Sequence, residues 1–244
     1  MSPPHETHHA HYEHYAPGLI SRLDGLYGRV EADLHRRLVP LVRGQSVLDV
    51  GCGFGSTAEA MRRAGFQAVG IDTLPEWLEA GRGRFPGLDL RLSEPYCFGV
   101  PDQSFDTVIM KEVIHHIADE GDVGRFLAEV RRVCRRRLIV VDPNPNPVLR
   151  ATRALARHVD PVCSAQEARR HLEAAGFVVG VPGYSQLFTI PLSGGYVSPV
   201  RVPDPPVLGR LVVALDRAMT AGVVRLGLAD RLCWRYTLTA DVPG

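Results

Sequence analysis

Apolar residues recur along the chain with two spacings, and the alternation between them predicts an architecture. Short runs at 47–50, 68–71, 88–92, 105–110 and 138–141 have the length and the valine, isoleucine and leucine content of buried strands. Between them apolar positions fall at three- and four-residue steps, as in Phe126, Leu127, Val130 and Val133, the spacing of a helix that lays one face on a sheet. Strand and helix taking turns predict an α/β domain with an open, mostly parallel sheet. Helical runs at 19–41 and 208–226 and a last alternating strand at 234–238 flank that core.

Breaks in the pattern carry the chemistry. The first strand, Val47-Leu48-Asp49-Val50, empties into glycines at alternate positions, Gly51, Gly53 and Gly55, before Ser56 opens a helix. Glycine tolerates the sharp turn and lets backbone approach a ligand, and the helix start behind it offers unpaired N–H groups. A nucleotide-like cofactor is therefore expected. The dinucleotide fingerprint has its third glycine one residue later and seats a pyrophosphate there. Asp49, a carboxylate beside the loop, would repel a pyrophosphate but could receive a cation. About twenty residues on, at the spacing expected of a ribose-binding acid, Asp72 stands at the tip of the second strand, where its oxygens can accept from ribose hydroxyls. Thr73-Leu74-Pro75-Glu76 and Ser164-Ala165-Gln166-Glu167 both have the form of capping boxes.

The acidic residue followed by G-x-G-x-G closely resembles the first motif of the class I S-adenosylmethionine-dependent methyltransferases. This resemblance implies a Rossmann-like, doubly wound, mostly parallel seven-stranded sheet whose last strand is antiparallel. It implies an N-terminal helical lid at 1–42, a cofactor-binding core at 43–182, and an acceptor-pocket insertion with the last strand at 183–244, all in one domain. It assigns S-adenosylmethionine to Asp49, Gly51, Cys52, Gly53, Gly55, Asp72 and Thr73, to Glu94 and Pro95 in the adenine loop, and to Lys111 after the fourth strand. Tyr96 or Phe98 would wall the adenine or pack on the core. In relatives acting on quinones, sterols and natural products, the segment reading Lys111-Glu112-Val113-Ile114-His115-His116 lies under the transferred methyl, so His115 and His116 are the candidate catalytic bases. Asp142 and Asn144 are either acceptor contacts or caps of the next helix.

The implied reaction is in-line methyl transfer to a small, apolar acceptor, with a hydroxyl or carboxyl oxygen favoured and S-adenosylhomocysteine as by-product. A non-catalytic cofactor- or partner-binding protein and a nucleic-acid methyltransferase are the alternatives. Against the latter, Lys111-Glu112 stands where an N-P-P-Y or D-P-P-Y motif would, and no Pro-Cys nucleophile occurs.

Composition narrows this further. At 244 residues with 45% hydrophobic content, one domain with a sizeable core is expected. A net charge of +1 advertises neither nucleic acid nor an anionic surface. Arg131, Arg132, Arg135, Arg136 and Arg137 read as the wet face and C-terminal end of a helix. Five scattered cysteines without a C-x-x-C pair point to reduced thiols and a soluble cytoplasmic protein, possessing no membrane-inserting segment and open as to a homodimer. His5, His8, His9, His11 and His14 crowd the N-terminus, but no partner set closes a coordination sphere, so no metal is assigned. That stretch, with Tyr12 and Tyr15, is expected to serve as the lid.

Overall fold

All five expected parallel strands form in the computed structural model, which describes residues 20–147, 149, 150, 161–193 and 206–244. They are β1 (Ser46–Val50), β2 (Gln67–Asp72), β3 (Asp89–Leu92), β4 (Phe105–Lys111) and β5 (Cys134–Pro143). With β6 (Val178–Val179), β7 (Gly183–Ser185) and β8 (Arg235–Asp241) they make an eight-stranded sheet of order β3-β2-β1-β4-β5-β8-β6, β7 also pairing with β8. Strand β8 runs antiparallel to β5, β6 and β7. Eight strands replace the seven expected because the sixth is cut in two. Between its halves stand Gly180, Val181 and Pro182, and proline has no N–H for a ladder.

Helices α1 (Leu26–Leu38), α2 (Ser56–Arg63), α3 (Pro75–Arg84), α4 (Ile114–Glu120), α5 (Val123–Val133), α6 (Ala165–Ala174), α7 (Thr189–Ser193), α8 (Pro206–Arg225) and α9 (Ala229–Leu232) surround the sheet. Successive strand residues point to opposite faces, which divides the core. Leu48, Val50, Val108, Met110, Leu138 and Val140 share one cluster with Phe126, Leu127 and Val130 of α5. Val47, Ile109, Ile139 and Val141 join Leu34 and Leu38 of α1 and Ala58 and Met61 of α2 in the other. Burial on both faces explains why these strands read as unbroken apolar runs.

Two local expectations change. No capping box forms at Thr73: Leu74 is the N-cap of α3, and its N–H is taken by the Asp72 carboxylate at 3.0 Å. At Ser164 the box does form, through both reciprocal bonds. The arginine cluster is split between two elements, because α5 stops at Val133 and Arg135, Arg136 and Arg137 already belong to β5. They are held there by carboxylates, Arg135 and Arg136 by Asp106 and Arg137 by Asp241. In the C-terminal part, buried Asp216 of α8 accepts the N–H groups of Leu187, Phe188 and Thr189 at 2.8–3.1 Å and so fastens the start of α7. The N-terminal histidines, Tyr12 and Tyr15, and residues 194–205 of the insertion lie outside the described residues.

Candidate functional site

Strands β1, β2, β4 and β5 all deliver their carboxyl ends to one edge of the sheet, where ligands of open α/β folds bind. At its centre Gly51, Gly53 and Gly55 adopt φ of 67°, 54° and 80°, the left-handed region that side chains disfavour. A Cβ on Gly51 would strike Val113, and one on Gly53 would stand 3.0 Å from the Trp77 ring. Trp77 of α3 in turn stacks on Phe54 with ring centroids 4.4 Å apart, so the turn is packed from outside as well as by its own backbone.

Asp72 is the clasp of this turn. One carboxylate oxygen accepts from Gly53 N–H at 2.7 Å and the other from Leu74 N–H at 3.0 Å, while Cys52 N–H reaches the Ile71 carbonyl at 3.0 Å. Asp49 works from below: fully buried, it accepts the Ala58 N–H in the first turn of α2 at 3.1 Å. Burial pushes its carboxyl up to about 7, against the pull of Lys111 and of that N–H. The Cys52 thiol is turned under the loop toward Gly70, and burial holds its pKa well above the usual thiol range. Thr73 and Glu94 are exposed and Pro95 half-buried on the neighbouring rim, where Ser93 N–H bonds the Asp72 carbonyl at 2.9 Å. Phe98 lies in the core, edge-on to Phe126 at 5.8 Å. Tyr96 takes the Arg125 guanidinium 4.8 Å over its ring and the Asp122 N–H on its hydroxyl. Of the two aromatics offered as an adenine wall, one is core and the other is engaged with α5.

The Lys111 ammonium is committed to Glu31 of α1 at 2.7 Å. Glu31 also holds the fully buried Arg235 of β8 at 2.6 Å, and Arg235 bonds Glu112 and Gln186 as well. Glu112 keeps a left-handed φ of 60° with its N–H on the Val141 carbonyl; such strain persists where the surroundings over-determine it. The two cations hold the Glu31 and Glu112 carboxyls below their ordinary range despite burial. This network was missed in the sequence. Its one visible signal is that Glu31 and His35 stand on the apolar face of α1, in step with Tyr27, Leu34 and Leu38. His35 meets the Thr57 hydroxyl at 3.3 Å, and desolvation lowers its pKa to about 4, so the imidazole is neutral near pH 7.

Beyond β4 the paired histidines separate in role. His115 is buried at the start of α4, and its Nδ1 lies 2.8 Å from the carboxylate of fully buried Asp142 at the end of β5. His116 is half-buried, its ring centroid 4.1 Å from that of His115. Asn144 spends its side-chain amide on the Asp230 and Cys233 carbonyls, and capping of the next turn falls to Asn146, which accepts the Leu149 N–H at 2.8 Å.

The donor set can be tested against S-adenosylmethionine. A pyrophosphate seated on the N–H groups of this turn would face the carboxyl groups of Asp49 and Asp72 beside it, and the ammonium that bears on Asp49 is already paired. That set fits a ligand carrying a sulfonium, an ammonium and a ribose diol.

Comparison with known proteins agrees. Residues 48–141 match the family model described as a methyltransferase domain. A protein of Mycolicibacterium smegmatis, named a probable S-adenosylmethionine-dependent methyltransferase, is 29% identical over 171 residues, 68% of this chain and 64% of its own length. A ubiquinone biosynthesis O-methyltransferase of Aeromonas salmonicida is 33% identical over 43% of this chain and 47% of its own. The chain spans about half the length of the curated relatives it matches. A solved S-adenosylmethionine-dependent methyltransferase from Archaeoglobus fulgidus shares the fold, with a TM-score of 0.62 at 18% identity, covering 87% of this chain and 93% of that one. Residues 48–141 thus carry a methyltransferase domain, and the chain is similar in sequence and in fold to S-adenosylmethionine-dependent methyltransferases.

Proposed function

We propose that the chain transfers a methyl group from S-adenosylmethionine to a small, apolar acceptor at a hydroxyl or carboxyl oxygen. The observation that carries the reading is the glycine turn clasped by Asp72 with Asp49 beneath it. In this reading Gly51 to Gly55 present backbone to the methionine moiety, Asp72 accepts the ribose hydroxyls, and Thr73, Glu94 and Pro95 border the adenine. Asp49, whose carboxyl burial raises to about 7, would take up its negative charge beside the ligand's ammonium group. Cys52 and Lys111 contribute backbone, since the thiol is buried under the loop and the ammonium is held by Glu31. The oxygen-methylating relative supports the choice of acceptor atom.

When bound, the cofactor supplies a methyl carbon made electrophilic by the sulfonium. What remains for the protein is alignment and exclusion of water, which can supply roughly 7–11 kcal/mol of the barrier. A hydroxyl acceptor must also lose a proton. Asp142, as a carboxylate, accepts from Nδ1 of His115, which fixes the tautomer and leaves proton uptake to Nε2. Such a base contributes about 10²–10⁴-fold; a carboxylate acceptor, already ionised, would not use it.

Incubation with methyl-labelled cofactor and pools of phenolic, hydroxylated and carboxylated apolar compounds tests the proposal. Labelled product and S-adenosylhomocysteine are expected. His115→Ala and Asp142→Asn should each lower turnover by about 10²-fold or more at nearly unchanged cofactor affinity, and His116→Ala by less. Tight cofactor binding without turnover on any pool would favour a binding protein instead.

A further inference from the structure

Helix α8 carries its apolar residues on the wrong side for a surface helix. The positions turned to the body of the protein, Gly209, Val213, Asp216 and Thr220, are buried, and only Val213 among them has a sizeable apolar side chain. On the outer side Leu208, Leu211, Leu215 and Met219 are 54%, 61%, 55% and 46% exposed, and Leu226 just beyond the helix is 73% exposed. The three- and four-residue steps from Leu208 to Met219, with Leu226 seven residues further on, set these side chains in one stripe. Contiguous exposed apolar surface of this kind marks an interaction site.

Charge identifies the occupant. Every exposed charged side chain among the described residues of α8 is an arginine, Arg210, Arg217 and Arg225, on one flank of the stripe. Asp216, the acid of the helix, is turned inward onto three backbone N–H groups. Arg217 also reaches Asp33 of α1 at 2.5 Å, which ties the flank to the body. A two-fold pairing of antiparallel copies would set arginine flank against arginine flank. An anionic phospholipid surface meets both halves of the pattern, taking leucines at the acyl boundary and guanidinium groups at the headgroups. Among the described residues no helix is long and apolar enough to cross a membrane, so α8 would lie along the surface. The near-neutral balance of the whole chain hides this local asymmetry.

We propose that the outer face of α8 docks the protein on anionic lipid bilayers, independently of which acceptor is methylated. Co-sedimentation of the full chain with phosphatidylcholine vesicles, with and without phosphatidylglycerol, tests this. The bound fraction should rise with phosphatidylglycerol and fall with salt. Leu211→Ser with Leu215→Ser should lower vesicle affinity by about tenfold or more, and Arg210→Gln with Arg225→Gln should cost roughly as much on anionic vesicles only. These side chains are exposed, so melting temperatures should match the parent. Absence of binding to either vesicle, equal binding by the leucine variant, or a concentration-dependent dimer broken by that variant would overturn the proposal.

Discussion

Asp72 does two jobs with one carboxylate. It accepts the N–H groups of Gly53 and Leu74, which shapes the turn and starts α3, and in the proposed reading the same carboxylate accepts the ribose diol. Asp72→Ala should therefore weaken cofactor binding by about 1.5–3 kcal/mol, the range for hydrogen bonds to a charged group. Titration calorimetry checks this, and unchanged affinity would remove Asp72 from the ribose site. His35 makes a different kind of prediction. Its pKa is lowered from 6.5 to about 4 by desolvation in the native state. The unfolded chain thus binds a proton first, and the stability present above pH 6.5 should be lost as pH falls toward 4, by roughly 3 kcal/mol. Urea unfolding at intervals across that window, for the parent and His35→Gln, should show a slope that the variant lacks.

At the scale of elements, α1 is fastened to the sheet by charge as well as by packing. Glu31 faces Lys111 at the end of β4 and Arg235 at the start of β8, and both cations would be left short of a buried partner without it. Glu31→Gln should lower the unfolding free energy by about 3–5 kcal/mol, as expected when one member of a buried ion pair is removed. A denaturation midpoint close to the parent's would contradict this. These partners lie 80 and 204 residues from Glu31, and no local pattern reports such distances. The glycine turn and Asp72 were legible because strand, turn and strand-end acid are encoded within a short stretch, each by its own conformational demand. Likewise the periodicity of α5 and the capping box of α6 were readable, whereas the end of α5 was not: arginines 135–137 suit a helix terminus in sequence and a strand in space. His115 could be singled out in the segment after β4 and Asp142 at the end of β5, but their pairing depends on β4 and β5 being neighbours.

For the whole molecule, sheet order places every candidate group on one edge. Parallel β2, β1, β4 and β5 bring Asp72, the glycine turn, the α4 histidines and Asp142 there in that sequence, with antiparallel β8 closing the side beyond Asp142. In the proposed reading the cofactor and the acceptor lie on opposite sides of β4, an arrangement that topology would supply once the strands are ordered. The split sixth strand and the outward leucines of α8 are the departures from what patterning led one to expect. Both arise where proline, or an apolar stripe that no described residue covers, overrides the alternation. The account rests on the clasped turn being a seat for S-adenosylmethionine, and a crystal structure of the protein soaked with S-adenosylhomocysteine tests it most directly. The nucleoside should lie against Gly51 to Gly55 with both ribose hydroxyls on the Asp72 carboxylate; a cleft left vacant by S-adenosylhomocysteine but filled by a pyrophosphate dinucleotide would contradict it.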